Sequence, residues 1–182
     1  MNPWIGNGIG AAILAALVHV ASVLVLPSLA PESLWTRLET LGVGTTGFSR
    51  VPDVADRPEG IAALDPATVT VACRYDLADG PVKITGRLDL DYWAIWLHEE
   101  RGHAYYAINA RANGDRALEL RIMTDDQLAR FRADLPEDAE TELLVASPTR
   151  RGFVVLRGLV PEPSTRAMVE REISGARCQP NG

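Results

Sequence analysis

From Met1 to Pro31 this chain carries no charged side chain, and Glu32 is the first. Within that span, residues 5–26 form a predominantly apolar stretch, IGNGIGAAILAALVHVASVLVL. A helix rises about 1.5 Å per residue, so this stretch would extend over about 33 Å and cross the ~30 Å hydrocarbon core of a bilayer. The sequence therefore predicts that residues 1–30 are a transmembrane anchor.

Two other interpretations compete with a retained anchor. A cleaved signal peptide would begin with a positive charge, have a shorter apolar stretch and end in a small-residue cleavage site. Here the start carries no Lys or Arg, and Pro31 directly follows the small-residue sequence at 28–30. A buried helix of a soluble protein would be shorter and have a polar face, whereas Asn7, His19 and Ser22 are the polar interruptions here. We therefore expect a retained, single-pass anchor.

Gly6 and Gly10 form a G-x-x-x-G pair inside this stretch. Small residues at this spacing let two membrane helices approach closely and pack against each other. The pair predicts a helix–helix contact at Gly6 and Gly10. The alternative is a plain anchor, because Gly and Ala are common in membrane helices.

Composition limits the function of the remaining residues. The whole chain has 24 acidic and 18 basic residues, a formal charge of −6, and the bases form no stripe. Nucleic acid is therefore not an expected partner. The lipid bilayer is the expected partner of the anchor, and a second membrane protein could contact the anchor or the domain. The chain beyond the anchor is long enough for one compact domain with its own core.

Two further parts follow the anchor. Residues 31–66 begin with a short juxtamembrane helix and continue into a segment rich in Gly, Pro and Asp, which is typical of a linker or an irregular ordered loop. Residues 67–182 form a β-rich soluble domain, because hydrophobicity there alternates with the two-residue period of strands. The candidate strands lie at 68–75, 82–85, 92–98, 104–109, 118–123, 142–146 and 153–159.

Two helices are predicted beside these strands, one at 125–133 after the capping residue Thr124 and one at 165–174. Residues 142–146 and 153–159 are expected to form a hairpin. The fold class that follows is mostly β (α+β). It consists of an N-terminal transmembrane helix and an antiparallel β-sandwich or jelly-roll-like domain with two peripheral helices.

The turn from His98 to His103, sequence HEERGH, superficially resembles the zinc-protease motif H-E-x-x-H. That motif needs two His four residues apart on one helical face, with Glu beside them. Here the two His are five residues apart around Gly102, in a predicted β-turn. No third ligand can be named, so we expect a solvated turn and no metal. A metal site completed by a distant ligand is the alternative.

Large aromatic side chains concentrate in the hairpin at 92–106. Cross-strand aromatic pairs often serve only to stabilise a sheet. The functional alternative is a ligand pocket or partner surface, with Trp96, His98, His103 and Tyr106 as candidate binding residues. The chain contains no G-x-S-x-G, no phosphate-binding loop and no convincing Ser–His–Asp set. We therefore predict no catalytic residue and no cofactor.

The two cysteines, Cys73 and Cys178, lie too far apart in the sequence for a C-x-x-C metal or redox motif. In a cytoplasmic protein both would be buried thiols, whereas in an exported domain they could form a disulfide. The charges flanking the anchor, chiefly Arg37, lean weakly toward a cytoplasmic domain. The flanking charges thus leave the orientation open.

Several strings along the domain carry a family resemblance: residues 73–77 (CRYDL), 80–84 (GPVKI), 91–93 (DYW), 105–109 (YYAIN) and 147–152 (SPTRRG). In order and spacing the chain resembles the short, membrane-anchored alphaproteobacterial proteins of domain of unknown function 1254. This resemblance implies an envelope protein with a β-rich domain that faces the periplasm. It implies no activity.

These observations together predict a non-enzymatic, single-pass protein of the bacterial inner membrane. Its periplasmic domain would bind a partner, as an accessory or scaffold subunit of a membrane complex. The alternative is a small-ligand-binding protein or metal-dependent enzyme that uses the hairpin at 92–106. Export is preferred because of the cysteine pair and the family resemblance.

Overall fold

The structure is a computed structural model that describes residues 3–26, 33–53, 55–56, 61, 64–114, 117–134 and 142–180. The chain divides into two compact units, Met1–Ser33 and Leu34–Gly182, which are described separately. The expected start of the juxtamembrane helix, residues 31–32, lies outside the described residues.

The first unit is helix α1, Pro3–Val25. Residues Asn7–Val25 have a mean hydropathy of 2.3, and none of this span is buried. The helix is therefore long and apolar enough to cross a membrane, which confirms the predicted N-terminal apolar helix. A signal sequence near the N-terminus can also be long and apolar enough to meet this criterion. Gly6 and Gly10 both lie in α1, and the space around Gly10 is open.

The second unit contains the remaining elements, and each predicted strand lies in it. The helices are α2 (Leu34–Thr40), α3 (Ala110–Asn113), α4 (Asp125–Ala133) and α5 (Arg166–Ser174). The strands are β1 (Ser49–Arg50), β2 (Thr68–Asp76), β3 (Val82–Gly86), β4 (Trp93–Glu99), β5 (Ala104–Asn109), β6 (Leu118–Met123), β7 (Leu143–Ala146), β8 (Arg151–Leu159) and β9 (Arg177–Pro180). Thr124 caps α4 as predicted, because its hydroxyl accepts a hydrogen bond from the Gln127 amide.

The strands form two sheets, in the order β1-β2-β8-β4-β5 and β7-β6-β3-β9. The two sheets share one apolar core between them, which confirms the predicted β-sandwich. Every second side chain of a strand points to the same face of its sheet. On β2 the side chains that face this core are Val69, Val71 and Cys73, and β8 contributes Val154 and Leu156.

One predicted pairing is wrong. Residues 142–146 and 153–159 do not form a hairpin, because β7 and β8 belong to different sheets. β7 instead runs parallel to β6, with Leu143 opposite Leu120. The segment Ser147–Arg150 carries the chain from one sheet to the other. A turn-like sequence between two strands does not determine which sheet each strand joins.

A disulfide joins Cys73 on β2 to Cys178 on β9. These strands belong to different sheets, so the bridge crosses the core and links the two layers. It also holds β9, a four-residue strand that the sequence did not indicate, against β3. The predicted pairing of the two cysteines is confirmed.

A second, smaller apolar cluster covers part of the outer face of the first sheet. Leu38 of α2 and Val43 and Val51 of the following segment pack there on Phe153 of β8. Trp35 links α2 to the sheet through a hydrogen bond of 3.2 Å, which its indole Nε1 donates to the Tyr75 carbonyl oxygen. The guanidinium carbon of Arg74 lies 4.1 Å from the centre of the Trp35 ring. The segment after Ser33 is thus packed on the domain.

Candidate functional site

The hairpin of β4 and β5 places its two histidines differently. His98 is half-buried, its ring stacks on Phe153 with centroids 4.8 Å apart, and its Nδ1 donates to the Gly102 carbonyl oxygen at 2.9 Å. Burial lowers the pKa of His98, and the charge of Arg157 lowers it further. His103 is 82% exposed and pairs with the Glu99 carboxylate. His98 is therefore a packed, neutral side chain, while His103 belongs to a solvated turn.

In the described part of the chain, no three His, Cys, Asp or Glu side chains are grouped so that they could hold a metal ion. The Nδ1 atom of His98 is already hydrogen-bonded to Gly102, and that of His103 is bonded to Glu99. The two histidines thus each have their own partner, and neither points to a common ligand.

The outer face of the first sheet also holds an aromatic and cationic surface, which lies beside the smaller apolar cluster. Trp96 lies between Val155 on β8 and Ala107 on β5, and it is half-buried. The guanidinium carbon of Arg157 lies 5.4 Å from the centre of the Trp96 ring. Among the described residues, the buried Nε of Arg157 has no hydrogen-bond partner and Arg157 forms no ion pair. We call Trp96, Arg157 and Val155 the Trp96 surface.

The four predicted ligand-binding residues do not form one cluster. Trp96 and His98 lie on the outer face of β4, two residues apart. Tyr106 lies opposite Leu97, a core residue, and therefore faces the inside of the sandwich. His103 is in the turn between the strands. Of the four residues, Trp96 and His98 are the two that share the outer face of the sheet.

Sequence reasoning missed Arg157 as a member of this surface. A signal was present, because Arg157 is the one charged residue within the apolar run at 153–160. Such a residue in the middle of a central strand must lie on the face away from the core. Its neighbour across the sheet, Ala94 on β4, cannot be deduced without the strand order.

A buried cluster of hydroxyl groups was not predicted either. The Tyr75 hydroxyl lies 2.9 Å from that of Tyr105 and 3.0 Å from that of Ser147. Ser147 in turn donates to the Thr149 carbonyl oxygen at 2.7 Å. The cluster connects β2, β5 and the segment that leads from β7 to β8. Burial raises the pKa of Tyr75 and of Tyr105 above the usual 10.0.

The raised pKa values predict loss of stability in alkaline solution. In the unfolded chain both phenols ionise near pH 10, whereas in the folded domain they stay protonated, so the free energy of unfolding falls as the pH rises above about 10. Each phenol contributes a slope of about 1.4 kcal/mol per pH unit. Urea unfolding at successive pH values should show a shallower decline for Tyr75→Phe than for the wild type. Tyr92 is exposed, so Tyr92→Phe is the control, and its free energy of unfolding should depend on pH as in the wild type. The same dependence in all three proteins would contradict a contribution of Tyr75 to the alkaline loss of stability.

A cleft of about 760 Å³ opens at the end of the sandwich where β3 finishes and β4 begins. Its lining residues are Arg87, Leu88, Asp89, Leu90, Asp91, Trp93, Ala110, Arg111, Gly114, Leu118 and Glu172. The lining combines apolar side chains with charged side chains of both signs. Within the described ranges, neither Arg87 nor Arg111 forms an ion pair. The cleft has the size of a small-molecule site.

The chain has an exposed apolar N-terminal helix and a disulfide-bridged β-sandwich of two sheets. Its class is therefore a small β-sandwich domain that follows a candidate membrane anchor or signal sequence. The profile of the DUF1254 family, described as proteins of unknown function, matches residues 46–180. The chain therefore belongs to the DUF1254 family, as the resemblance of its motifs indicated.

Two solved structures are similar to this chain. The VPA0106 protein from Vibrio parahaemolyticus has a TM-score of 0.51 and 11% identity, over 65% of this chain and 29% of that one. An uncharacterized protein from Burkholderia cenocepacia has a TM-score of 0.45 and 14% identity, over 75% of this chain and 34% of that one. This chain thus spans about a third of each protein's length. No curated protein matches it.

Proposed function

We propose that this chain is a single-pass protein of the bacterial inner membrane whose β-sandwich domain lies in the periplasm. The domain acts as a binding module, as an accessory or scaffold subunit of a membrane complex. The observation that carries the proposal is one chain with both an exposed apolar helix and a disulfide between Cys73 and Cys178. Disulfides persist in oxidising compartments such as the periplasm and are rare in the cytosol.

The Trp96 surface is the contact region that we assign to the partner. Trp and Arg are over-represented among the residues that dominate binding energy at protein interfaces. Arg157 brings a charge that has no acidic partner among the described residues, beside a ring that is already half-buried. An Asp or Glu side chain of a partner would form an ion pair with this guanidinium and accept a hydrogen bond from its buried Nε.

The first part of the test concerns location. Alkaline phosphatase fused after Gly182 should be active in a Gram-negative host, because that enzyme needs the periplasm to form its own disulfides. The full-length chain should remain in the membrane after carbonate washing at its uncleaved mass. A reporter active solely in the cytoplasm would refute the periplasmic location. A shortened, soluble product would show a signal peptide in place of an anchor.

The second part of the test concerns binding. Full-length tagged protein, extracted in mild detergent, should co-purify with a defined partner identified by mass spectrometry. The double variant Trp96→Ala/Arg157→Ala should lose that partner, whereas the matched surface control Met168→Ala/Arg130→Ala should retain it. Equal capture by all three would place the contact elsewhere. A small molecule bound in stoichiometric amount, with no protein partner, would instead support a ligand site in the cleft beside Arg111.

A further inference from the structure

The cleft at the end of the sandwich is lined by charges that do not neutralise one another. Two of the lining side chains are basic, Arg87 and Arg111, and three are acidic, Asp89, Asp91 and Glu172. Within the ranges that the structure describes, none of these five side chains forms an ion pair. The cleft, of about 760 Å³, therefore offers charges of both signs to a small ligand.

The segment between β3 and β4 forms the wall that carries three of these charges. Its side chains alternate in burial. Leu88 and Leu90 are partly buried and pack on the core, whereas Arg87, Asp89 and Asp91 are exposed. This alternation is typical of extended backbone, in which residues two apart project to the same side and lie about 6.6 Å from each other. The wall thus presents one positive and two negative charges in a row.

Contacts with α5 and β8 hold this segment in place. The Asp89 amide donates a hydrogen bond of 3.2 Å to the Glu172 carboxylate on α5. Leu90 lies against Gly158 of β8, where an added Cβ atom would meet the Leu90 Cδ1 atom at 3.1 Å. Trp93, which begins β4 and is 4% exposed, adds a fixed aromatic side chain to the lining. Because the wall is already ordered, a ligand would lose little free energy in fixing it.

We propose that this cleft binds a short zwitterionic peptide with apolar side chains, of about dipeptide length. Its carboxylate pairs with Arg87, and its ammonium group pairs with Asp89. Its apolar side chains contact Leu90 and Trp93, which also line the cleft. An extended dipeptide spans at most about 7 Å. This length matches the spacing of about 6.6 Å between the positive and the negative position of the wall.

The charges of the cleft select against ligands that carry a single sign of charge. A purely anionic molecule would meet Asp89, Asp91 and Glu172. A purely cationic molecule would meet Arg87 and Arg111. Like charges brought together in a binding site weaken the complex, and this repulsion discriminates between ligands. A zwitterion of the right length meets an opposite charge at each end.

The test uses the full-length, oxidised protein in mild detergent and the dipeptide Leu-Leu, with binding measured by isothermal titration calorimetry. N-acetyl-Leu-Leu lacks the ammonium charge and Leu-Leu amide lacks the carboxylate, so each should bind about tenfold to hundredfold more weakly than Leu-Leu. Gly-Gly should also bind more weakly, because it has no apolar side chain to bury. No detectable binding of Leu-Leu, or equal binding of all four peptides, would overturn the proposal.

Two variants of exposed residues separate the ends of the peptide. Arg87→Gln should weaken the binding of Leu-Leu about tenfold or more and leave that of Leu-Leu amide unchanged, because the amide has no carboxylate to pair. Asp89→Asn should weaken Leu-Leu and leave N-acetyl-Leu-Leu unchanged. Arg130→Gln is the matched control, an exposed arginine on α4 outside the cleft lining, and should bind Leu-Leu as the wild type does.

The inference does not depend on the proposed function, because the purified protein is measured whatever its location, and the Trp96 surface is not part of the cleft lining. Loss of the Trp96 partner with intact binding of Leu-Leu would leave the inference standing. A loss in Arg130→Gln equal to that in Arg87→Gln, or an equal effect of Arg87→Gln on Leu-Leu and on its amide, would overturn it.

Discussion

Replacing both cysteines by alanine is expected to lower the free energy of unfolding by about 4–5 kcal/mol. The bridge between Cys73 and Cys178 closes a loop with a sequence separation of 105. In the chain-entropy description, a cross-link over about 100 residues stabilises the folded state by about 4.7 kcal/mol, because it restricts the unfolded chain. Both side chains are fully buried, so removal of the sulfurs also leaves a small cavity. Urea unfolding of the oxidised wild type and the double variant would measure the difference.

The wild-type protein unfolded in the presence of a reductant is the matched control, because it lacks the cross-link and keeps both sulfur atoms. Its free energy of unfolding should be close to that of the double variant. A double variant as stable as the oxidised wild type would show that the bridge does not contribute to folding. Loss of β9 alone, seen as early hydrogen exchange at Arg177 and Gln179, would show that the bridge acts mainly on that strand.

Gly152→Ala is expected to destabilise the domain by about 3 kcal/mol or more. A Cβ atom at this position would lie 2.2 Å from the Tyr75 hydroxyl oxygen and 2.3 Å from the His98 carbonyl oxygen. Gly152 on β8 lies opposite Tyr75 on β2. Because Gly152 has no side chain, the tyrosine ring can pass over β8 at this position. The added methyl would force Tyr75 away and break its bonds to Tyr105 and Ser147.

Gly44→Ala is the matched control for this substitution. Its Cβ would meet its nearest neighbour, a backbone oxygen of Thr46, at 3.7 Å, which is an ordinary contact. It should change the free energy of unfolding by less than about 1 kcal/mol. Similar losses for Gly152→Ala and Gly44→Ala would contradict the role of Gly152 as space for the tyrosine. Tyrosine absorbance should also shift in Gly152→Ala alone, because the Tyr75 phenol leaves its buried cluster.

The strands could be located from sequence because each buries one face. In β2 the alternation of Val69, Val71 and Cys73 indicated a strand, and the structure places all three in the core. Two strands escaped detection, β1 and β9, because they are too short for alternation to be visible. They form because pairing partners are already in place, β2 for one and β3 for the other.

The candidate site was less accessible from sequence. The hairpin and its turn were predicted, with Gly102 at a positive φ of 105° as a left-handed turn residue requires. Which aromatic side chains share a surface depends on strand order and on the irregular register between Leu97 and His98. That register separates Tyr106 from Trp96. The contribution of Arg157 depends on β8 lying beside β4, which no local pattern reveals.

By itself, the sequence determined the properties that depend on local composition. These are the apolar helix that precedes the first charged residue, Glu32, and the β-rich domain with two peripheral helices. Family membership was also indicated, by short motifs in a given order and spacing. Tertiary structure alone decided which strands share a sheet and that the bridge between Cys73 and Cys178 joins the two layers. The physical reason is that hydrophobic period and turn chemistry act over a few residues, whereas strand order is selected by the packing of the whole core.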